Sequence, residues 1–222
     1  VVDLMARVPR LPVPGETRAS SSFKMGPGGK GFNQCVAAWK AGADATMMGK
    51  LGDDPFSQVH LKAMKELGMP DRGVMVGPGA ATGNALIMVD ESTGENLIAV
   101  TLGANATISA REIEERADVI TNCGILLVQL EVNPDALSQA IDLAWRNDAL
   151  VIFNSAPASP FDAGLYEKIS IITPNETETM ALTGIEIRSE QDARRAAAWF
   201  FNRGVEAVLI TLGDQGVFVA HS

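Results

Sequence analysis

Short apolar runs punctuated by helical segments dominate the chain from Ile108 onward, and they restrict the fold more than any other feature. Ile125 to Leu130, Leu150 to Phe153, Ile169 to Thr173 and Ala207 to Thr211 read as strands, followed by Val217 to Ala220. A helix runs from Asn133-Pro134 to about Arg146 and another from Ser189 to Asn202, while Ser109-Ala110-Arg111-Glu112 forms a capping box. Continuous apolar strands separated by helices predict a parallel sheet covered on both faces, hence an α/β protein.

The first half is patterned differently. Val1 to Val8 is strand-like, ended by Pro9, Pro12 and Pro14, and Gly15-Glu16-Thr17 to Met25 is a more polar strand candidate. Phe32 to Gly42 fits a helix, Ala45 to Gly49 a short strand, and Asp53-Asp54-Pro55 opens a helix that ends at Gly68. Thr82 to Thr101 carries a hairpin signal: two apolar runs flank Asp90-Glu91-Ser92-Thr93-Gly94-Glu95. With the segment Glu16–Met25 it is expected to form a small sheet apart from the main one. One domain with this β excursion is simpler than two independent domains.

Composition excludes several classes. With 46% hydrophobic and 20% charged residues the chain is globular rather than disordered. A net charge of -9 argues against a nucleic-acid or anionic-membrane binder. Cys35 and Cys123 lie in apolar stretches and are expected to be buried thiols in a reducing, cytoplasmic setting. Two histidines cannot build a histidine-rich metal site, and His60 is expected at the surface. No apolar run approaches a membrane span, and the start has no signal-peptide pattern.

Gly28-Gly29-Lys30-Gly31-Phe32-Asn33 opens a helical run. Glycines there let backbone approach a polar ligand and leave N–H donors at the helix start. It is not a nucleotide phosphate loop, because Gly31 stands after Lys30 where a Ser or Thr is required. Ligands of open parallel sheets bind beyond the C-terminal strand ends. That rule selects Asp3, Glu131, Asn154, Pro174-Asn175-Glu176-Thr177-Glu178 and Gly213-Asp214-Gln215-Gly216. Each also has a plain structural reading: Asp3 as a turn residue, Glu131 as a helix-entry charge, Asn175 as a helix start, Thr211 to Gly216 as a hairpin turn.

In order along the chain, Asp3, Pro14-Gly15-Glu16-Thr17, Gly-Gly-Lys-Gly-x-Asn, Gly52-Asp53-Asp54, Thr82-Gly83, Gly94-Glu95-Asn96 and Gly103-Ala104-Asn105 resemble the ribokinase, or PfkB-type, family of carbohydrate kinases. Gln129-Leu130-Glu131, Asn154-x-Ala156-Pro157-Ala158, Pro174-Asn175-Glu176-Thr177-Glu178, Leu182-Thr183-Gly184 and Thr211-Leu212-Gly213 continue the resemblance. It implies a Rossmann-like three-layer αβα fold with a small β-sheet lid built from segments about 15–26 and 82–102. The activity implied is ATP-dependent phosphorylation of D-ribose to D-ribose 5-phosphate, or of another sugar or a nucleoside. Asp3, Gly29, Lys30, Gly31, Asn33 and Glu131 would bind the sugar. Asn175, Thr211, Gly213 and Gly216 would face ATP, and Glu178 would hold Mg²⁺. A monovalent cation such as K⁺ and a homodimer formed through the lid are implied as well.

The family's Gly-Ala-Gly-Asp motif, whose Asp is the catalytic base, would lie beyond Ser222. Neither Asp53 nor Asp214 matches its position, so no catalytic residue is assigned and residues 1–222 alone are expected to be inactive. The chain is expected to be trimmed at both ends, the alternative being a non-catalytic sugar-binding or dimerising isoform. Phe32 replaces a usual small residue and is expected to narrow the sugar pocket, and Ser155 stands where Pro is usual.

Overall fold

Val2, Leu4, Ala6 and Val8 alternate with Asp3, Met5 and Arg7, a period-two pattern. In the computed structural model, which describes residues 1–222, Val2–Val8 is strand β1. It belongs to the first of two units, Val1–Thr107 and Ile108–Ser222. The first unit continues with β2 (Ser22–Pro27), α1 (Lys30–Lys40), β3 (Gly49–Gly52), α2 (Ser57–Leu67), β4 (Val74–Gly77), β5 (Thr82–Asp90) and β6 (Asn96–Gly103). Four strands form one sheet in the order β2-β1-β5-β6, with β1 parallel to β5 and antiparallel to β2. The hairpin expected over 82–101 is therefore present, and Val1–Val8 is part of the same sheet. Register aligns Leu4, Met25, Leu86 and Ala99 on one face, and Ala6, Phe23, Met88 and Leu97 beside them. Asp90 organises the turn between β5 and β6: its Oδ1 accepts from the Ser92 N–H at 2.8 Å and the Thr93 N–H at 3.1 Å.

Two strand expectations shift. The segment from Glu16 does not extend until Ser22, because Glu16 gathers Arg10 at 2.8 Å, Arg18 and the Val13 N–H at 3.1 Å into a charged loop. Ala45–Met48 is not a strand, and pairing starts at Gly49, where β3 lies parallel to β4. Gly52 is required inside β3: a Cβ there would stand 2.2 Å from the Ala80 carbonyl. Helix α1 packs Phe32 against Met64 and Met69, with Cys35, Val36, Trp39 and Val74 around them. Helix α2 ends at Gly68, whose φ of 69° is the left-handed conformation favoured by glycine.

The second unit runs α3 (Ala110–Glu114), α4 (Ala117–Thr121), β7 (Ile125–Gln129), α5 (Pro134–Arg146), β8 (Leu150–Asn154), β9 (Ile171–Ile172), α6 (Glu176–Thr183), α7 (Glu190–Phe201), β10 (Ala207–Thr211) and β11 (Val217–His221). The Ser109 capping box forms as expected: Ser109 Oγ accepts from the Glu112 N–H at 3.2 Å, and Glu112 Oε2 from the Ser109 N–H at 2.9 Å. Asn133 caps α5, with Pro134 in the first turn. The sheet has the order β11-β10-β9-β8-β7, parallel from β7 to β10, with β11 antiparallel at the edge.

Each crossover between these parallel strands steps the same way, so right-handed connections put the helices on a single face. Val151, Phe153, Ile172, Val208 and Ile210 on that face are fully buried. On the other face of this sheet Ile125, Leu127, Leu150, Val217 and Val219 are exposed within residues 1–222. No helix is long and apolar enough to cross a membrane.

Candidate active site

The glycine segment is built by the pairing of β1 with β2. Asp3 lies opposite Gly26, and the Gly28 N–H donates to the Val1 carbonyl at 2.9 Å. This brings Gly28 under the Asp3 carboxyl so closely that a Cβ there would meet Asp3 Cγ and Oδ1 at 2.2 Å. Only glycine allows that approach. Gly29 follows with φ of 87° and serves as the N-cap of α1, without a side-chain cap, and its carbonyl accepts from the Asn33 N–H at 3.0 Å. Lys30, Gly31 and Asn33 form the first turn. Backbone N–H groups at the start of α1 thus follow directly on the glycine that packs against the partly desolvated Asp3 carboxylate. Burial pushes the Asp3 carboxyl above its usual range.

Asp3 reached this position by a route other than the strand-end rule. It is the second residue of β1, not its end, because the strand continues to Val8. Register with β2, rather than a C-terminal strand edge, delivers it to the glycines.

In the second unit the selected residues do lie at strand ends. Glu131 lies just past β7, where its N–H donates to the side-chain oxygen of Gln129. Asn154 ends β8 and donates Nδ2 to the Thr173 carbonyl at 2.9 Å. Asn175 caps α6: its Oδ1 accepts from the Glu178 N–H at 2.7 Å, and Glu178 Oε2 accepts from the Asn175 N–H at 2.9 Å. Asn175 also pairs with Thr211 at the end of β10, and the Thr211 N–H donates to the Pro174 carbonyl at 3.0 Å. Gly213 and Gly216, both at positive φ, turn the chain into β11, with the Leu212 N–H on the Gly216 carbonyl at 2.9 Å. Asn175, Glu178, Thr211, Gly213 and Gly216 therefore share one edge of the sheet. The helix start and the hairpin are real structural features, and they create this edge.

Glu178 is buried, with one oxygen committed to the capping box. No group of three or more His, Cys, Asp or Glu side chains could hold a metal. A single carboxylate suits Mg²⁺ only when phosphate and water supply the remaining ligands.

Three residue expectations change. His60 is buried, not at the surface, with 4% exposure. Its place was legible: Ser57, His60 and Met64 fall at helical spacing on the buried face of α2. Phe32 does not narrow a sugar pocket, because its ring sits in the core cluster, edge-on to His60 at 4.8 Å. Cys35 and Cys123 are unpaired but half-exposed rather than buried, and burial still pushes both thiols upward.

The pfkB family carbohydrate kinase model matches residues 1–222. A bifunctional ribokinase/ribose-5-phosphate isomerase A of Fructilactobacillus sanfranciscensis is 37% identical over 220 residues, which are 99% of this chain and 41% of that protein. The chain thus spans about two fifths of that relative's length. A ribokinase of Haemophilus influenzae is 37% identical over 218 residues, covering 98% of this chain and 71% of the relative. The structure of Arabidopsis thaliana ribokinase complexed with ribose and ATP superimposes with a TM-score of 0.90 at 28% identity, over all of this chain and 72% of that one. With its fold, its ordered motifs and these matches, the chain belongs to the pfkB family of carbohydrate kinases.

Proposed function

We propose that the protein containing this chain transfers the γ-phosphoryl group of ATP to the primary 5-hydroxyl of D-ribose. The observation that carries the reading is the seating of Asp3 against the Cβ-less Gly28 at the start of α1. A partly desolvated carboxylate packed on the glycine that leads into a helix start, whose first turn carries a lysine and an asparagine, supplies the donors and acceptors that neighbouring hydroxyls need. Asp3, Gly29, Lys30, Gly31 and Asn33 are the sugar contacts proposed on the first unit, and Glu131 is the one proposed on the second.

Asn175, Thr211, Gly213 and Gly216 are proposed to receive the nucleotide. The first turn of α6 offers N–H donors and a positive dipole end to phosphate. Glu178 would hold Mg²⁺ through water, and the ion when bound would neutralise phosphate charge. Its acidic side chain at that helix start favours the cation there. Phosphoryl transfer asks mainly for alignment and charge stabilisation, which suits residues that position rather than react. No residue of 1–222 is assigned as the base. A monovalent-cation requirement is carried by the resemblance and rests on no side chain of this chain.

The four-stranded sheet is proposed as the lid. Closing it over the sugar would exclude water, which competes with the hydroxyl for the phosphoryl group. Its apolar face, with Phe23, Met25, Leu86 and Leu97 exposed, is the proposed dimer contact.

Isothermal titration of the complete gene product with ribose, other pentoses and nucleosides tests the assignment. Ribose-dependent heat together with ribose-dependent ADP release is expected. Heat with a nucleoside and none with ribose would overturn it.

A further inference from the structure

We propose that His60 is a positioning residue that holds the glycine segment in its ligand-accepting geometry. His60 Nε2 lies 3.2 Å from the Gly28 carbonyl oxygen. A carbonyl only accepts, so Nε2 must carry the proton and donate. Nδ1 is then a bare acceptor, and it is buried without a hydrogen-bond partner. Leaving a buried nitrogen unpaired is costly, which a core-filling role would not justify. An aliphatic side chain would fill the same buried space beside Phe32 without that cost.

The bond explains the cost. Gly28 is fixed on three sides: its N–H by the Val1 carbonyl, its Cα by the Asp3 carboxyl, and its carbonyl by His60. Turning the Gly28–Gly29 peptide would move the N–H donors at the start of α1 relative to Asp3. His60 is itself oriented by the edge-on contact with Phe32, whose ring centroid is 4.8 Å away at an interplanar angle of 86°. Phe32 lies on α1, within the segment being held. The pair therefore ties α2 to both the glycine turn and the helix it opens. The proposal rests on the sugar-kinase reading only for what the held segment binds.

Three measurements test it. In the wild-type protein, imidazole nitrogen–proton correlation by NMR is expected to find the His60 proton on Nε2, and a proton on Nδ1 alone would overturn the proposal. Hydrogen exchange of residues 26–34 is expected to accelerate in His60→Leu and to return toward wild type in His60→Gln, whose amide can donate to the same carbonyl. A folded His60→Leu with wild-type exchange would overturn it. In the complete enzyme, His60→Leu is expected to raise the sugar KM about tenfold, the equivalent of one lost hydrogen bond, with the ATP KM and kcat unchanged. Unchanged sugar KM, or an equal rise in both KM values, would count against positioning. If the wild type phosphorylates no sugar, the kinase reading fails while tautomer and exchange still decide the role of His60. If His60→Leu does not fold, the tautomer decides.

Discussion

Asp3 and Gly28 pack so tightly that the sequence can change at neither without a response from the other. Gly28→Ala would drive a methyl group into the Asp3 carboxyl, where separations of 2.2 Å must be relieved by moving β1 or the turn. Overpacking of this kind costs about 1–3 kcal/mol. Gly26→Ala is the matched control, since nothing lies within 4 Å of its Cβ position. Denaturant midpoints are expected to fall for Gly28→Ala and hold for Gly26→Ala, with sugar affinity following the same order. His60 gives the second expectation at this scale. Burial lowers its pKa from 6.5 to about 4, against the pull of the Gly28 carbonyl. The unfolded chain binds a proton near pH 6.5 that native His60 refuses until pH 4. Stability from this group is complete above pH 6.5 and falls as pH drops toward 4. Subtracting the urea-unfolding free energies of His60→Leu from those of wild type at each pH should isolate that slope. A difference that is flat between pH 4 and 6.5 would contradict it.

At the scale of elements, helix starts are local chemistry, and they were legible. Ser109, Asn133, Asn175 and Ser189 each cap the helix that follows, because a short polar side chain reaches an N–H two or three residues on. Strands depend on partners far along the chain, and there the reading slipped. Pairing with β4 moved β3 onto Gly49–Gly52, and the Glu16 charge cluster kept residues before Ser22 out of β2. The C-terminal-edge rule places Glu131, Asn175, Thr211, Gly213 and Gly216 at the ends of strands of a parallel sheet, where the structure has them. It misread Asp3, whose strand lies in a mixed sheet where register decides. His60 was missed because its type outweighed its period. The capping box of α6 separates two duties that overlap in one residue. Asn175→Ala should cost about 1 kcal/mol in stability from the lost cap. Ser109→Ala should cost a similar amount without touching the nucleotide edge. A rise in the KM for ATP confined to Asn175→Ala would mark the ligand duty, and equal kinetics for the two variants would reduce Asn175 to a cap.

At the scale of the whole chain, residues 1–222 carry two exposed apolar surfaces, one on each unit, and they make competing claims on self-association. One is the face of the four-stranded sheet that carries Phe23 at 62%, Met25 at 52%, Leu86 at 57% and Leu97 at 49% exposure. The other is the face of the five-stranded sheet with Ile125, Leu127, Val217 and Val219, exposed within residues 1–222. Patches this apolar are retained where another surface meets them. A two-fold dimer needs a self-complementary patch, and a regular sheet face repeated across an axis supplies one. The lid proposal assigns the dimer to the first face alone. Leu86 sits mid-strand there, aligned with Leu4 and Met25, so Leu86→Lys would place a charge at the centre of the contact. An unpaired buried charge at such a centre would be expected to dissociate the dimer. Val219→Lys on the second unit introduces the same charge at a position of similar exposure within residues 1–222. Sedimentation velocity of the complete protein should show a dimer for wild type and for Val219→Lys, and a monomer for Leu86→Lys. The reverse pattern would move the interface to the five-stranded sheet and leave the lid without a partner. Because the proposed sugar contacts of the first unit lie beside β1, a dimer held through this sheet would also stiffen the strand that carries Asp3. Leu86→Lys is therefore expected to weaken ribose binding along with association, and Val219→Lys to change neither.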